Sequence, residues 1–249
     1  MKLSNRTAVV TGGVAGIGLA AVEQFCLEGA RVVIGDVSEE QGYQTEERLN
    51  GEGYSVTFMK ADVSSEADVE ALIKKADDTY GSVDILFANA GIGDTTAAHE
   101  LELDKWNKLM DVNLNGVFLS NKHALQYMLE QENGGAIINN ASILGHVGQD
   151  SITSYSAAKG AVVNMTRTLG VTYAQKGIRV NAVCPGYVET PLLGESMDKE
   201  AINQLAQAHP IGRLAQPEEI AKAVTFLASD DASFMIGSSM MVDGGYTAQ

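Results

Sequence analysis

The chain has 249 residues and a formal net charge of −15, with 17 Lys and Arg against 32 Asp and Glu. A balance this acidic, without a Lys/Arg cluster, argues against a nucleic-acid partner and against docking on an anionic membrane. No apolar run reaches the ~18 residues of a membrane span, and the N-terminus lacks the apolar core of a secretory signal, so a cytoplasmic protein is expected. Cys26 and Cys184 are far apart and form no Cys-x-x-Cys pattern, so they read as buried reduced thiols. His99, His123, His146 and His209 lack metal-ligand spacing. The length suits one α/β domain spanning residues 1–249, with no linker or internal repeat to divide it.

The first pattern is an apolar strand, residues 6–12. It runs directly into Gly12-Gly13-Val14-Ala15-Gly16-Ile17-Gly18 and a helix over residues 19–28. Glycines there let backbone N–H groups approach a pyrophosphate at the helix N-terminus. The spacing is Gly-x-x-x-Gly-x-Gly, not the commoner Gly-x-Gly-x-x-Gly, and a plain strand-to-helix turn is the alternative reading. The next strand ends at Asp36, about 20 residues past the glycines, where a carboxylate can bind adenosine ribose hydroxyls. Neither the glycine loop nor residues 35–41 contain Lys or Arg. A 2′-phosphate would meet Asp36, Glu39 and Glu40 without a cation, so NAD(H) is expected over NADP(H). Further strand patterns near residues 55, 83, 136, 178 and 238 alternate with helical ones. The alternation predicts a doubly wound parallel sheet of about seven strands, helices on both faces, and a ligand crevice at the carboxyl ends of the strands.

The apolar run 136–142 reads as a buried strand ending at Ser142, and residues 155–174 read as a helix. Tyr155-Ser-Ala-Ala-Lys159 places a phenol and an ammonium four residues apart, on one helix face. A lone Tyr-x-x-x-Lys is weak evidence; its position after a strand end gives it weight. A free tyrosine titrates near ~10, too high for an effective base at neutral pH. Lys159, together with an oxidised nicotinamide, is expected to bring that value down. Tyr155 would then serve as general acid/base for hydride transfer, and Ser142 would hydrogen-bond the carbonyl oxygen. The plain alternatives are a strand-end cap for Ser142, a buried helix polar group for Asn113 and a surface role for Lys159.

In this order, the motifs resemble the short-chain dehydrogenase/reductase family over essentially the whole chain. The resemblance implies a single-domain Rossmann-type fold. It implies cofactor contacts from Gly12, Gly16, Ile17, Gly18 and Asp36, from Asp62 and Val63 at the adenine, and from Asn89, Ala90 and Gly91 by the adenine ribose. Pro185, Gly186, Val188 and Thr190 would meet the nicotinamide end, and Tyr155 and Lys159 its ribose. Asn113 would hold a water in a relay from Lys159 to solvent. Residues 186–213, with Leu192, Leu193 and Met197, resemble the family's substrate lid. Ser142, Leu144, Tyr155, Tyr187 and Leu192 are expected at the substrate. Ile143, Val147 and Ile152 could add apolar wall for a small or medium ketone or secondary alcohol. Relatives are commonly homotetramers. The ending of the chain resembles that of certain bacterial ketone-reducing members whose last residue joins a magnesium site between subunits, which makes Gln249 a candidate ligand beside the plainer reading of a packed tail. Two alternatives are a 3-oxoacyl-[acyl-carrier-protein] reductase, which needs a basic dock and usually NADPH, and a catalytically silent dinucleotide-sensing scaffold, which would have lost the Tyr–Lys pair.

Overall fold

Seven short apolar runs form one sheet in this computed structural model, which describes residues 1–131, 133–194 and 199–249. The strands are β1 (Thr7–Thr11), β2 (Arg31–Asp36), β3 (Val56–Lys60), β4 (Ile85–Ala88), β5 (Gly135–Asn140), β6 (Ile178–Pro185) and β7 (Ser239–Val242). All neighbouring pairs are parallel, in the order β3-β2-β1-β4-β5-β6-β7. Every residue of β1 and β4 is buried. Both faces of these strands are covered, so they read as unbroken apolar runs rather than alternating ones.

Two cores lie on opposite faces, and successive strand residues feed them in turn: Val10 enters one and Val9 the other. The first core holds Val22 and Phe25 of α1 (Gly16–Leu27) against Val224 and Leu227 of α9 (Pro217–Ala228). The second holds Leu72 and Ile73 of α3 (Glu66–Tyr80), Val117 and Met128 of α5 (Gly116–Glu130) and Val162 of α6 (Thr153–Tyr173). Phe25 is fully buried, and truncating such a side chain to Ala costs about 3–5 kcal/mol. The remaining helices are α2 (Glu39–Gly51), α4 (Leu103–Met110), α7 (Pro191–Gly194) and α8 (Lys199–Gln207).

Local chemistry sets the helix ends. Ser65 accepts from Asp68 N at the start of α3, and Gly81, with φ +79, ends it. Pro217 opens α9 behind a Gln216/Glu219 capping box. Three sequence boundaries move. The first helix begins at Gly16, so two of the loop glycines lie in its opening turn. The fifth strand stops at Asn140, two residues before Ser142. The Tyr155 helix begins at Thr153. Strand order reverses direction between β1 and β4, which opens a crevice at their carboxyl ends. Among the described residues no helix is long and apolar enough to cross a membrane.

Candidate active site

The crevice begins where β1 meets α1. Gly12 has φ +64, and a Cβ there would stand 2.8 Å from Ala90 Cα. A Cβ on Gly18 would fall 1.9 Å from the Gly12 carbonyl oxygen. Both positions require glycine, the first for its backbone and the second for the close approach of loop to helix. The N-terminus of α1 has no side-chain cap and no acid in its first turn. Its free N–H groups suit an anion, which fits a dinucleotide pyrophosphate. Asp36 sits beside this loop, accepting from Val14 N at 3.4 Å and Ser38 N at 3.0 Å. Lys60 lies opposite Asp36 in the β2–β3 register, and the sequence reading overlooked it because it lies in another strand. It donates to Glu39 at 3.1 Å, so this cation is already engaged by an acid.

A polar chain then crosses the switch point. Asn89, just past β4, donates through Nδ2 to the carbonyls of Thr11 and Gly12. Asn140 Nδ2 donates to Asn89 Oδ1 at 2.9 Å. The Asn140 carbonyl in turn accepts from Lys159 Nζ at 2.6 Å. Asn140, which the sequence reading missed, thus links the glycine loop to the Tyr–Lys helix. Its Oδ1 is buried without a hydrogen-bond partner among the described residues. An orphan acceptor on the cavity wall is costly unless a ligand donates to it, and a ribose or carboxamide donor of the cofactor fits.

Ser142, Tyr155 and Lys159 converge at this point. Ser142 caps a 3₁₀ turn, Ile143–Gly145, and its Oγ accepts from Leu144 N at 3.1 Å. The same hydroxyl lies on the cavity wall with the Tyr155 phenol. Lys159 Nζ lies 5.4 Å from the Tyr155 ring centroid. Burial pushes the phenol above its ordinary value, and Ser142 offsets part of the rise. Burial pulls Lys159 down to about 8, with Cys184 opposing. The expected lowering of Tyr155 by Lys159 therefore does not prevail within the folded chain. Desolvation is the larger effect on both groups, it weakens the lysine charge, and Nζ is turned to the Asn140 carbonyl.

The cavity at this triad measures about 410 Å³. Ile17, Ser142, Ile143, Leu144, Ile152, Tyr155, Pro185, Gly186, Tyr187, Val188 and Thr190 line it, together with Leu193 of α7. Gly93, Asp94 and Thr95, from the loop after β4, complete its wall and were not anticipated. Val147 packs behind this wall rather than lining it. The Tyr187 hydroxyl donates to Gln149 Oε1, and burial lifts its pKa to about 12. His209 ties residues 187 and 205 of the 186–213 segment together: its Nε2 accepts from Tyr187 N at 3.1 Å, while Nδ1 donates to Leu205 O at 2.8 Å. Met197 and the Leu192 side chain lie outside the described residues.

Other expected positions have quieter places. Asp62 is exposed and accepts from Ser64, two residues past β3, with buried Val63 beside it. Ala90 N donates to Thr11 Oγ1, and Gly91 lies against the Asn113 side chain. Gly16 faces Thr190 across the cleft. Asn113 lies in a π-helical turn, Asp111–Asn115, between α4 and α5. Its amide pairs with both backbone groups of Ile92, at 2.8 Å each. The side chain is thus a clamp on the loop after β4. His146 touches Cys184 Sγ at 3.6 Å and does not line the cavity. Both cysteines are free and buried. Gln249 donates through Nε2 to Ala208 O, and no cluster of three His, Cys, Asp or Glu able to hold a metal occurs among the described residues.

Comparison with known proteins decides the family. The family model described as "Enoyl-(Acyl carrier protein) reductase" matches residues 13–247. The chain is 48% identical over 246 residues to cis-4-hydroxycyclohexanecarboxylate dehydrogenase of Sinomonas cyclohexanicum, covering 98% of each. The chain is a short-chain dehydrogenase/reductase. Cyclohexanol dehydrogenase of Acinetobacter sp. (strain SE19) is another relative, 40% identical, with 100% of this chain and 97% of that one covered. Among solved structures, levodione reductase superposes with a TM-score of 0.95 at 35% identity, over 99% of both chains. The family assignment carries with it oxidoreductase chemistry at an alcohol carbon, and the parallel sheet with helices on both faces is the fold of these relatives.

Proposed function

We propose that the protein transfers hydride between NAD(H) and a small cyclic secondary alcohol or its ketone. The observation that carries this is the meeting of Ser142 and Tyr155 on one cavity beside the glycine loop, with Lys159 behind them, bonded to the carbonyl of the wall residue Asn140. Relatives named for ring alcohols support the substrate class, and the mostly apolar lining agrees with it.

When bound, the nicotinamide supplies or accepts hydride and, oxidised, adds positive charge near the phenol. The chain's own groups manage the proton. Ser142 Oγ donates to the substrate oxygen and fixes its orientation. Tyr155 Oη takes the alcohol proton in oxidation and returns it in reduction. Lys159 holds the nicotinamide ribose and favours the phenolate. Asn113, its amide committed to Ile92, holds the loop after β4 in place beside this site. Asp36 holds the adenosine ribose, and Glu39 engages Lys60, the cation opposite Asp36, against a 2′-phosphate. Residues 186–213 act as the lid, with His209 bracing it from within. We extend the reading to a cytoplasmic homotetramer. Gln249 offers a side-chain oxygen to magnesium, and that ion would need ligands from several copies.

Initial rates with cyclohexanone and NADH or NADPH test the proposal. NADH is expected to give at least about tenfold higher kcat/KM, a difference of ~1.4 kcal/mol in transition-state binding. Equal or better efficiency with NADPH would remove Asp36 from its role. Better reduction of an acyl-carrier thioester would favour the carrier-protein alternative, which the net charge of −15 opposes.

A further inference from the structure

We infer that Asp94 sets the substrate class of this cavity: it accepts a hydrogen bond from a second hydroxyl on an uncharged ring alcohol and turns away a carboxylate. The inference rests on reading the protein as a ring-alcohol dehydrogenase and names which ring alcohols it takes.

Asp94 is the sole charged side chain lining the cavity among the described residues. Its carboxylate is held in place. Oδ1 accepts from Thr96 Oγ1 at 2.7 Å, and Oδ2 accepts from Ser154 Oγ at 2.8 Å. Ser154 is fully buried at the start of α6 and directly precedes Tyr155, so the carboxylate is tied to the helix that carries the phenol. A carboxylate has about four lone-pair sites, and these two bonds leave others for a ligand. Burial alone would raise its pKa. The hydrogen bonds from Thr96 and Ser154, with Lys105 assisting, outweigh burial and hold it below the ordinary value. Asp94 is therefore ionised at neutral pH.

A second carboxylate in the same cavity meets this charge at close range, and no Lys or Arg among the described lining residues offsets it. A hydroxyl instead gains a charge-assisted bond. Specificity here comes from a repulsive element as much as an attractive one. The chain thus departs from the relative named for cis-4-hydroxycyclohexanecarboxylate, despite 48% identity.

The test measures kcat/KM with NAD, at low ionic strength, for cyclohexanol, cyclohexane-1,4-diol and cis-4-hydroxycyclohexanecarboxylate. The parent is expected to prefer the diol to the carboxylate by about tenfold or more. Asp94→Asn keeps the shape and removes the charge, and is expected to bring that ratio within about threefold of unity. Asp230→Asn makes the same charge change beside Arg6, at the amino ends of the strands, and is expected to leave the ratio where it was. Competitive inhibition of the parent gives a second readout that needs no variant: cyclohexanecarboxamide should inhibit at about tenfold lower concentration than cyclohexanecarboxylate. A parent that handles carboxylate and diol equally, an Asp94→Asn ratio that does not move, or equal inhibition by the two probes overturns the inference and leaves the dehydrogenase reading intact. Turnover of none of the three alcohols overturns both.

Discussion

Lys159 shows the conflict between function and stability at the scale of one residue. It is 3% exposed and donates to the Asn140 carbonyl. Burial lowers its pKa from 10.5 to about 8. Because the folded value lies below the unfolded one, the folded state binds fewer protons between those limits, and stability rises with pH through that window. Below about pH 8 the buried ammonium costs folding on the order of 3 kcal/mol. Lys159→Met is therefore expected to unfold at equal or higher urea concentration than the parent at pH 7, with turnover lost, and its advantage should shrink toward pH 10. A variant that is clearly less stable at pH 7 would show that the bond to Asn140 outweighs desolvation. Ser142, Tyr155 and Lys159 were legible in the sequence because helical spacing and a strand end fix their relation. Asn140, Asp94 and Lys60 were not. Their meaning depends on which loop or strand stands opposite, and no local spacing encodes that.

At the scale of elements, the glycine turn shows what a pattern conveys and what it hides. Strand starts were readable because buried parallel strands are unbroken apolar runs. The start of α1 was misplaced because glycines are poor helix formers, yet Gly16 and Gly18 lie inside its first turn, where the proposed dinucleotide site needs open backbone. The π turn at Asp111–Asn115 carries no sequence marker at all. Gly18→Ala would drive a Cβ into the Gly12 carbonyl, a backbone atom with nowhere to go. It is expected to abolish NADH binding or to lower stability by about 2 kcal/mol or more, read by fluorescence titration and thermal melting. Gly51→Ala meets nothing within 4 Å and should change neither. An unaffected Gly18→Ala would mean that the loop does not pack on the helix as described.

At the scale of the molecule, one continuous sheet brings every motif to the carboxyl ends of its strands, and the doubly wound topology was readable from the alternation of patterns alone. Assembly was less so, since a helix face that meets a partner resembles one that meets solvent. Phe118 and Leu129 on α5 and Val171 on α6 are exposed, which favours the proposed tetramer through these helices. Light scattering is expected to find four copies, and EDTA to lower their melting temperature if magnesium joins the Gln249 ends; a monomer contradicts the first statement, and indifference to chelation the second. The most direct test of the whole account is turnover of a ring alcohol by Tyr155→Phe, with NADH binding measured in parallel. The expected result is kcat lower by about 100-fold or more, with cofactor affinity within about threefold of the parent. A loss of less than about tenfold would contradict it.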